Sequence, residues 1–493
     1  MVLLKEIKII SQNKKLTKMD KKKILLFRPR YSDNELEGKS IPWGLLYLGS
    51  YLEKKGYMVK IIDEIITSNW EDVVLKELKE AIVCGVTSMT GKQIKYALLF
   101  SQFVRDNSNV PIVWGGIHPS ILPKQTLKHP LIDFIVMWEG EETFLELVKA
   151  IETDNKFKDI PGIGFKEEKK IIITPNRQLV NLDIISDINY DLIDIEKYIY
   201  PKYDMKRSFE VCTSRGCTHK CFFCYNSCNP FRDWRSMSVH KIIDNFKKIV
   251  IKYNIDGINW REDNFFINKK RVEAIAKGII KSKLNIKWAA NSRIDYTYNY
   301  DDDFIRLLKK SGLSTIHFGV ESGSDKILKS INKGITVQQV LAVKDKLTKH
   351  KVYQDYSFMV GFPNETKEDI KKTIRLIVQL ANDNDYLDAI YGLSIYTPYP
   401  NTILYKQAVK SGFKPPTNLE GWVKMDWWEV NLPWIENKKW IENVSWNIRA
   451  LNKKFGSLVY TYFLFKLFLL DKLDLNIPCF EKVIYNIYNK IFK

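Results

Sequence analysis

Two stretches of β–α alternation decide what this 493-residue chain can fold into. In the first, strand-length apolar runs at residues 24–27, 59–63, 82–86, 110–114 and 132–136 are separated by stretches of helical length. Residues 44–52 have helical apolar spacing and close at Gly56, a C′ glycine. Strands interleaved with helices imply an α/β, parallel, doubly wound (Rossmann-like) sheet, whose ligands sit beyond the carboxyl ends of its strands. Three segments fall there: Thr87-Ser88-Met89-Thr90-Gly91, Gly115-Gly116-Ile117-His118-Pro119 and Glu139-Gly140-Glu141. Glycine at such turns lets backbone amides approach a ligand closely.

The second stretch has strands at 209–211, 255–260, 286–290, 315–320, 356–360 and 389–396, each closing on polar or glycine-bearing residues. Six such strands suit a barrel whose chemistry faces one rim. The loop after the first of them reads Cys217-Thr218-His219-Lys220-Cys221-Phe222-Phe223-Cys224, directly after Thr213-Ser214-Arg215-Gly216. Soft thiolates suit iron–sulfur clusters and zinc. Zinc and most iron–sulfur sites take four protein ligands, so three cysteines would leave one iron of a [4Fe-4S] cluster open for a chelating substrate. A structural zinc site would need a fourth ligand from Cys212, Cys228 or His219, and a disulfide cluster would need an oxidising compartment. Cys212 and Cys228 read as packing cysteines.

The CxxxCxxC spacing, with Phe223 before the last cysteine, resembles the signature of the radical S-adenosylmethionine (SAM) enzymes. The resemblance implies that Cys217, Cys221 and Cys224 hold a [4Fe-4S] cluster whose open iron takes the amino and carboxylate groups of SAM. It places Phe223 near the adenine and implies a partial (β/α)6 barrel of the TIM type. By position, Glu262 and Asp263 are assigned to the SAM amino group, Arg293 to the carboxylate or ribose, and Glu321 and Ser322 to the ribose or carboxylate. Those residue types suit those groups, although strand-end charges also form ordinary salt bridges. Asn401 stands where the family often has glycine.

The first series, with GVTSMTG, WGGIHPS and EGEE at its strand ends, resembles the cobalamin-binding domain fused to one subgroup of these enzymes. The resemblance implies cobalamin contacts at Ser88, Thr90, Gly91, Gly115, Gly116, His118, Glu139 and Gly140. No DxHxxG segment is present, so it implies cobalamin held without histidine on cobalt. A sheet that binds nucleotide, or nothing, is the bland alternative.

The implied activity is reductive cleavage of SAM to a 5′-deoxyadenosyl radical, hydrogen abstraction, and delivery of a cobalamin-borne methyl group to an unactivated carbon. Oxidative cyclisation or rearrangement is the rival within enzymes, and a cobalamin-binding sensor with a vestigial cluster the rival outside them. A third alternative keeps the cluster without cobalamin. The expected domains are a lead-in at 1–20, a cobalamin-binding domain at 21–151, a connector at 152–206 containing a hairpin, a radical SAM domain at 207–408 and a mostly helical region at 409–493. Seven cysteines do not form a secreted framework and residues 1–23 lack an apolar signal core, so a cytoplasmic setting is expected. The net charge of +19 comes from dispersed lysine rather than an Arg-rich tract, which disfavours nucleic acid. The expected partners are an organic substrate and an electron donor such as flavodoxin or ferredoxin. Tryptophans 422, 427, 428, 434, 440 and 446 suggest an aromatic wall for a large or apolar substrate, or a packed helical cap. The apolar run at 455–470 is short for a membrane span and leaves a peripheral membrane contact open.

Overall fold

A computed structural model of the chain describes residues 22–33, 39–153, 156–382, 384–426, 429–449, 451, 462–463, 465–467 and 470. The lead-in at 1–20, Trp427, Trp428 and most of the run at 455–470 lie outside the described residues. The chain forms two compact units, Met1–Val180 with Ile184–Ile195 and Asn418–Val423, and Asn181–Asp183 with Glu196–Thr417 and Lys424–Lys493. Among the described residues no helix is long and apolar enough to cross a membrane.

The first unit is built on strands β1 (Lys23–Arg28), β2 (Met58–Asp63), β3 (Ala81–Thr87), β4 (Ile112–Gly115), β5 (Phe134–Val136), β6 (Ile163–Glu167) and β7 (Lys170–Ile173). Their order is β2-β1-β3-β4-β5-β6-β7, parallel from β2 through β5. Residues 24–27 are buried without alternation because helices cover both faces of a parallel sheet. Phe27 stacks on Phe100 of helix Gln93–Asn107 at 3.9 Å. The chain steps from β2 across β1 to β3, which makes the β1/β3 junction a topological switch point. One expectation needs correction. The hairpin assigned to the connector is β6–β7, and β6 pairs antiparallel with β5, so it extends the sheet. Antiparallel pairing needs only a short return, and Gly164 fits where a Cβ would strike Ile173, Leu127 and Ile135.

The second unit is organised by β8 (Tyr200–Lys202), β9 (Met205–Val211), the short ribbon β10 (Ser214–Arg215) with β11 (Arg235–Ser236), and then β12 (Gly257–Trp260), β13 (Lys287–Ser292), β14 (Leu313–Glu321), β15 (Tyr353–Val360) and β16 (Leu387–Ile395). The main sheet runs β16-β15-β14-β13-β12-β9-β8, with six parallel strands and β8 antiparallel at one edge. It is the partial barrel expected, although its sheet begins at Tyr200, inside the expected connector. One face is apolar: Phe209, Ile258, Trp260, Trp288, Ile316, Phe318, Tyr356 and Phe358 are fully buried. Trp260 packs on Phe246 of helix Val239–Tyr253 at 4.9 Å. The edge strand β16 is covered by helix Lys438–Arg449, where the Ser445 hydroxyl accepts from Leu393 N at 2.9 Å and donates to Leu393 O at 3.1 Å.

Candidate functional site

The three-cysteine loop leaves the carboxyl end of β9 and is pinched at its base by the β10–β11 pairing, Ser214 against Ser236 and Arg215 against Arg235. Gly216 has φ +87°, and a Cβ there would lie 2.0 Å from the carbonyl oxygen of Asp233. Only glycine closes the loop at that point. Further along, Phe222 N donates to Ile331 O at 2.9 Å, Phe222 O accepts from Leu404 N at 3.0 Å, and Asn332 Nδ2 donates to Lys220 O at 2.8 Å. The loop is therefore fastened to the barrel from several sides.

Cys221 is buried, and Cys217 and Cys224 are partly open. Burial raises the Cys217 thiol and pushes Cys224 up to about 12. Such thiols ionise when a metal takes them. The alternative fourth ligands are engaged elsewhere: His219 Nε2 sits 2.9 Å from Tyr296 Oη, Cys212 donates to Ser214 O and Cys228 to Pro400 O. Among the described residues no three His, Cys, Asp or Glu side chains close around a single metal ion. The donor set suits a cluster with one uncommitted iron better than a four-ligand zinc.

Around the loop the predicted SAM residues separate into two kinds. Arg293 donates from Nη1 to Cys221 Sγ at 3.4 Å, from Nε to Asp295 at 2.9 Å and from Nη2 to Lys333 O. Glu321 accepts from Lys333 Nζ at 2.7 Å, and Lys333 Nζ lies 5.8 Å from the centre of the Phe223 ring. Asp263 is reached by solvent yet ringed by protein, which pushes its carboxyl up; Tyr225 Oη donates to it at 3.3 Å. Arg293, Phe223, Glu321 and Asp263 thus gather beside the cysteines.

Glu262 and Ser322 do not. The Glu262 carboxylate is consumed by Thr213 N at 2.9 Å, Thr213 Oγ1 at 2.6 Å, Ser214 Oγ, and Arg271 at 3.0 and 3.3 Å. Its side chain has no exposure, and it braces the strand that enters the loop. Ser322 is fully buried against Thr373 and Ser324. Asn401, with φ +65°, takes the left-handed turn conformation that asparagine tolerates in place of glycine. Sequence reasoning missed Lys333 and Arg271. The first lies in a loop without a motif, and the second reads as an ordinary charge on helix Lys269–Lys281.

In the first unit, the strand-end turns are laced together: Ser88 N donates to Gly115 O at 2.8 Å and His118 N to Ser88 O at 3.1 Å. Gly116, at φ +96°, is required because a Cβ would sit 2.8 Å from Ser88 O. Gly91, also at positive φ, precedes helix Gln93–Asn107, and Glu139-Gly140 leads into helix Glu141–Thr153. Ser88 is fully buried, its hydroxyl 3.3 Å from Met89 O. His118 is fully buried with Nδ1 2.9 Å from Thr90 Oγ1, and burial lowers it to about 4. Its Nε2 has no partner among the described residues. That buried, unmet ring nitrogen of a neutral imidazole fits the amide-bearing periphery of a corrin, whose amides both donate and accept. Trp422, from the returning segment, packs on His118 at 5.9 Å between ring centres and donates from Nε1 to Gln125 Oε1 at 2.6 Å. Trp434, in the second unit, donates to Gly361 O at 3.0 Å.

Residues 211–377 match the Radical SAM superfamily and residues 33–148 the B12 binding domain. The chain is 34% identical to the uncharacterized methyltransferase PH0819 of Pyrococcus horikoshii, over 78% of this chain and 82% of that one. It belongs to the cobalamin-binding radical SAM enzymes, whose cofactors are a [4Fe-4S] cluster, SAM and cobalamin. It is also 27% identical to the anaerobic magnesium-protoporphyrin IX monomethyl ester cyclase of Rubrivivax gelatinosus, over 78% of this chain and 70% of the relative. The structure of the radical SAM methyltransferase TsrM from Kitasatospora setae, with cobalamin and [4Fe-4S] cluster bound, aligns with a TM-score of 0.64 and 15% identity. That alignment covers 80% of this chain and 76% of TsrM, a likeness of fold.

Proposed function

We propose that this protein is a cobalamin-dependent radical SAM methyltransferase acting on an unactivated carbon of a small organic substrate. The observation that carries the reading is a three-thiol loop whose other candidate ligands are hydrogen-bonded to other groups, in a chain that also has a B12 binding domain. When bound, the cluster supplies an electron to SAM and cobalamin supplies the methyl group. Cys217, Cys221 and Cys224 would hold the cluster. Asp263 would receive the SAM amino group, Arg293 its carboxylate, and Glu321, steadied by Lys333, its ribose hydroxyls, with Phe223 against the adenine. In the first unit Thr90, Gly91, Gly115, Gly116, His118, Glu139 and Gly140 would line the cobalamin site, while buried Ser88 would hold the turns together. An electron donor such as flavodoxin or ferredoxin would serve the cluster.

The cyclase relative supports a second reading, cyclisation without methyl transfer. Anaerobic reconstitution with iron, sulfide and hydroxocobalamin, then reduction and addition of SAM, separates the two. About four irons and one cobalt per chain are expected. For a methyltransferase, S-adenosylhomocysteine then forms in proportion to bound cobalt. Its absence alongside 5′-deoxyadenosine would favour the cyclase reading.

A further inference from the structure

The face of the barrel sheet opposite the helix-covered one is polar, and its two strand carboxylates have only long ionic approaches, Lys202 to Glu210 and His317 Nδ1 to Asp355 Oδ2, each at 3.9 Å. Register sets Glu210 beside Asn259 and Asn259 beside Ala289, and sets His317 between Asn291 and Asp355. Arg261, one residue past the end of β12, continues its ladder by donating from N to Val211 O at 2.7 Å, and its exposed side chain acts on His317 of this face. Asp355 and Glu210 are both almost wholly buried, at 0% and 3% exposure, yet Asp355 Oδ1 and Glu210 Oε2 have no hydrogen-bond partner. Their other oxygens are taken. Asp355 Oδ2 accepts from Tyr391 Oη at 3.0 Å, and Tyr203 lies close to the same carboxyl. Glu210 Oε1 accepts from Tyr200 Oη at 3.2 Å and Asn259 Nδ2 at 3.4 Å.

Three cations act on His317 across this face: Lys202, Arg261 and Lys333. Lys333 is committed to Glu321 at 2.7 Å, whereas Lys202 reaches Glu210 only at 3.9 Å. The Arg261 guanidinium has no partner among the described residues. One edge of the face therefore offers donors to an oxyanion, and its floor offers two buried acceptors that need donors.

We propose that this inner face is the substrate site and takes a small polar molecule with two features. One is an oxyanion, phosphate or carboxylate, received by Arg261 and Lys202. The other is a hydroxyl or amine that donates to Asp355 Oδ1 and Glu210 Oε2. An apolar substrate would leave both carboxylate oxygens unmet, so this replaces the expectation of a large or apolar one. The inference rests on the proposed function only in calling the ligand a substrate.

The test uses the full chain loaded with iron and cobalt at pH 8, where Asp355, raised to about 7 by burial, is ionised, and calorimetric titration with glycerol 3-phosphate, glycerate and 1-decanol. Metal content is counted first, since failure to load iron and cobalt overturns the proposed function and not the site. Saturable binding of glycerol 3-phosphate or glycerate, without binding of decanol, is expected, and the tighter of the two identifies the oxyanion. Arg261→Gln should weaken that binding about tenfold or more with metal content unchanged, and Arg261→Lys should restore much of it. The site is overturned if neither oxyanion saturates, if Arg261→Gln binds as tightly as the parent, or if decanol binds in their place.

Discussion

Arg293 lies with its Nη1 3.4 Å from the sulfur of Cys221, held in place by Asp295 at 2.9 Å. A fixed guanidinium beside a cluster ligand favours the more negative, reduced state of that cluster. Arg293→Met should therefore make the cluster harder to reduce, by on the order of 50 mV, with iron content kept. Redox titration followed by electron paramagnetic resonance measures this, and an unchanged potential would contradict it.

The Glu262–Arg271 pair makes a different forecast. With side-chain exposures of 0% and 4%, it is a buried ion pair, and removing one partner strands a charge. Glu262→Gln should cost about 3–5 kcal/mol of stability, most of it recovered in Glu262→Gln/Arg271→Met. Denaturant unfolding of the parent and both variants reads this out. A Glu262→Gln protein of parental stability but weakened SAM binding would return Glu262 to the ligand role its position suggested.

Gly216→Ala tests the closure of the cysteine loop. The positive φ alone costs about 1–3 kcal/mol for a side-chain-bearing residue, and the added carbon would stand 2.0 Å from Asp233 O. Iron content should fall sharply while cobalt content, which depends on the other unit, is retained. Metal analysis of the reconstituted variant decides it.

Stability should decline as pH rises from about 6.5 to 8. Burial raises Asp355 to about 7 and Glu365 to about 8, so the folded chain keeps two protons that the unfolded chain releases above about pH 4.5. Burial lowers His118 and His317 to about 4, so the folded chain lacks two protons that the unfolded chain takes up below about pH 6.5. Between those limits the pairs oppose one another. Above them only the carboxyls count, the folded state binds more protons, and stability is lost. A Tm series across pH should show the fall, reduced in Asp355→Asn; a rise would contradict it.

The two β–α series and the cysteine loop were legible because apolar runs and thiol spacing are local patterns. What a strand-end side chain does is not local. Glu262 and Asp263 are neighbours in sequence, but alternation sends one to Arg271 on a later helix and leaves the other beside the cysteines. The hairpin at β6–β7 reads as connector in the sequence because its sheet partner, β5, is only three residues long. Likewise the polar inner face of the barrel appears only when strands are set in register, since Glu210, His317 and Asp355 are far apart in the chain.

The place of Trp422 bears on how such a protein could be cut or recombined. The segment that seats its indole on His118 is encoded after the whole barrel, yet it is part of the first folding unit. An excised fragment ending at residue 195 would lack a piece of its own interior. Exchange of the front domain between relatives would have to carry two separate stretches of gene to move one intact fold.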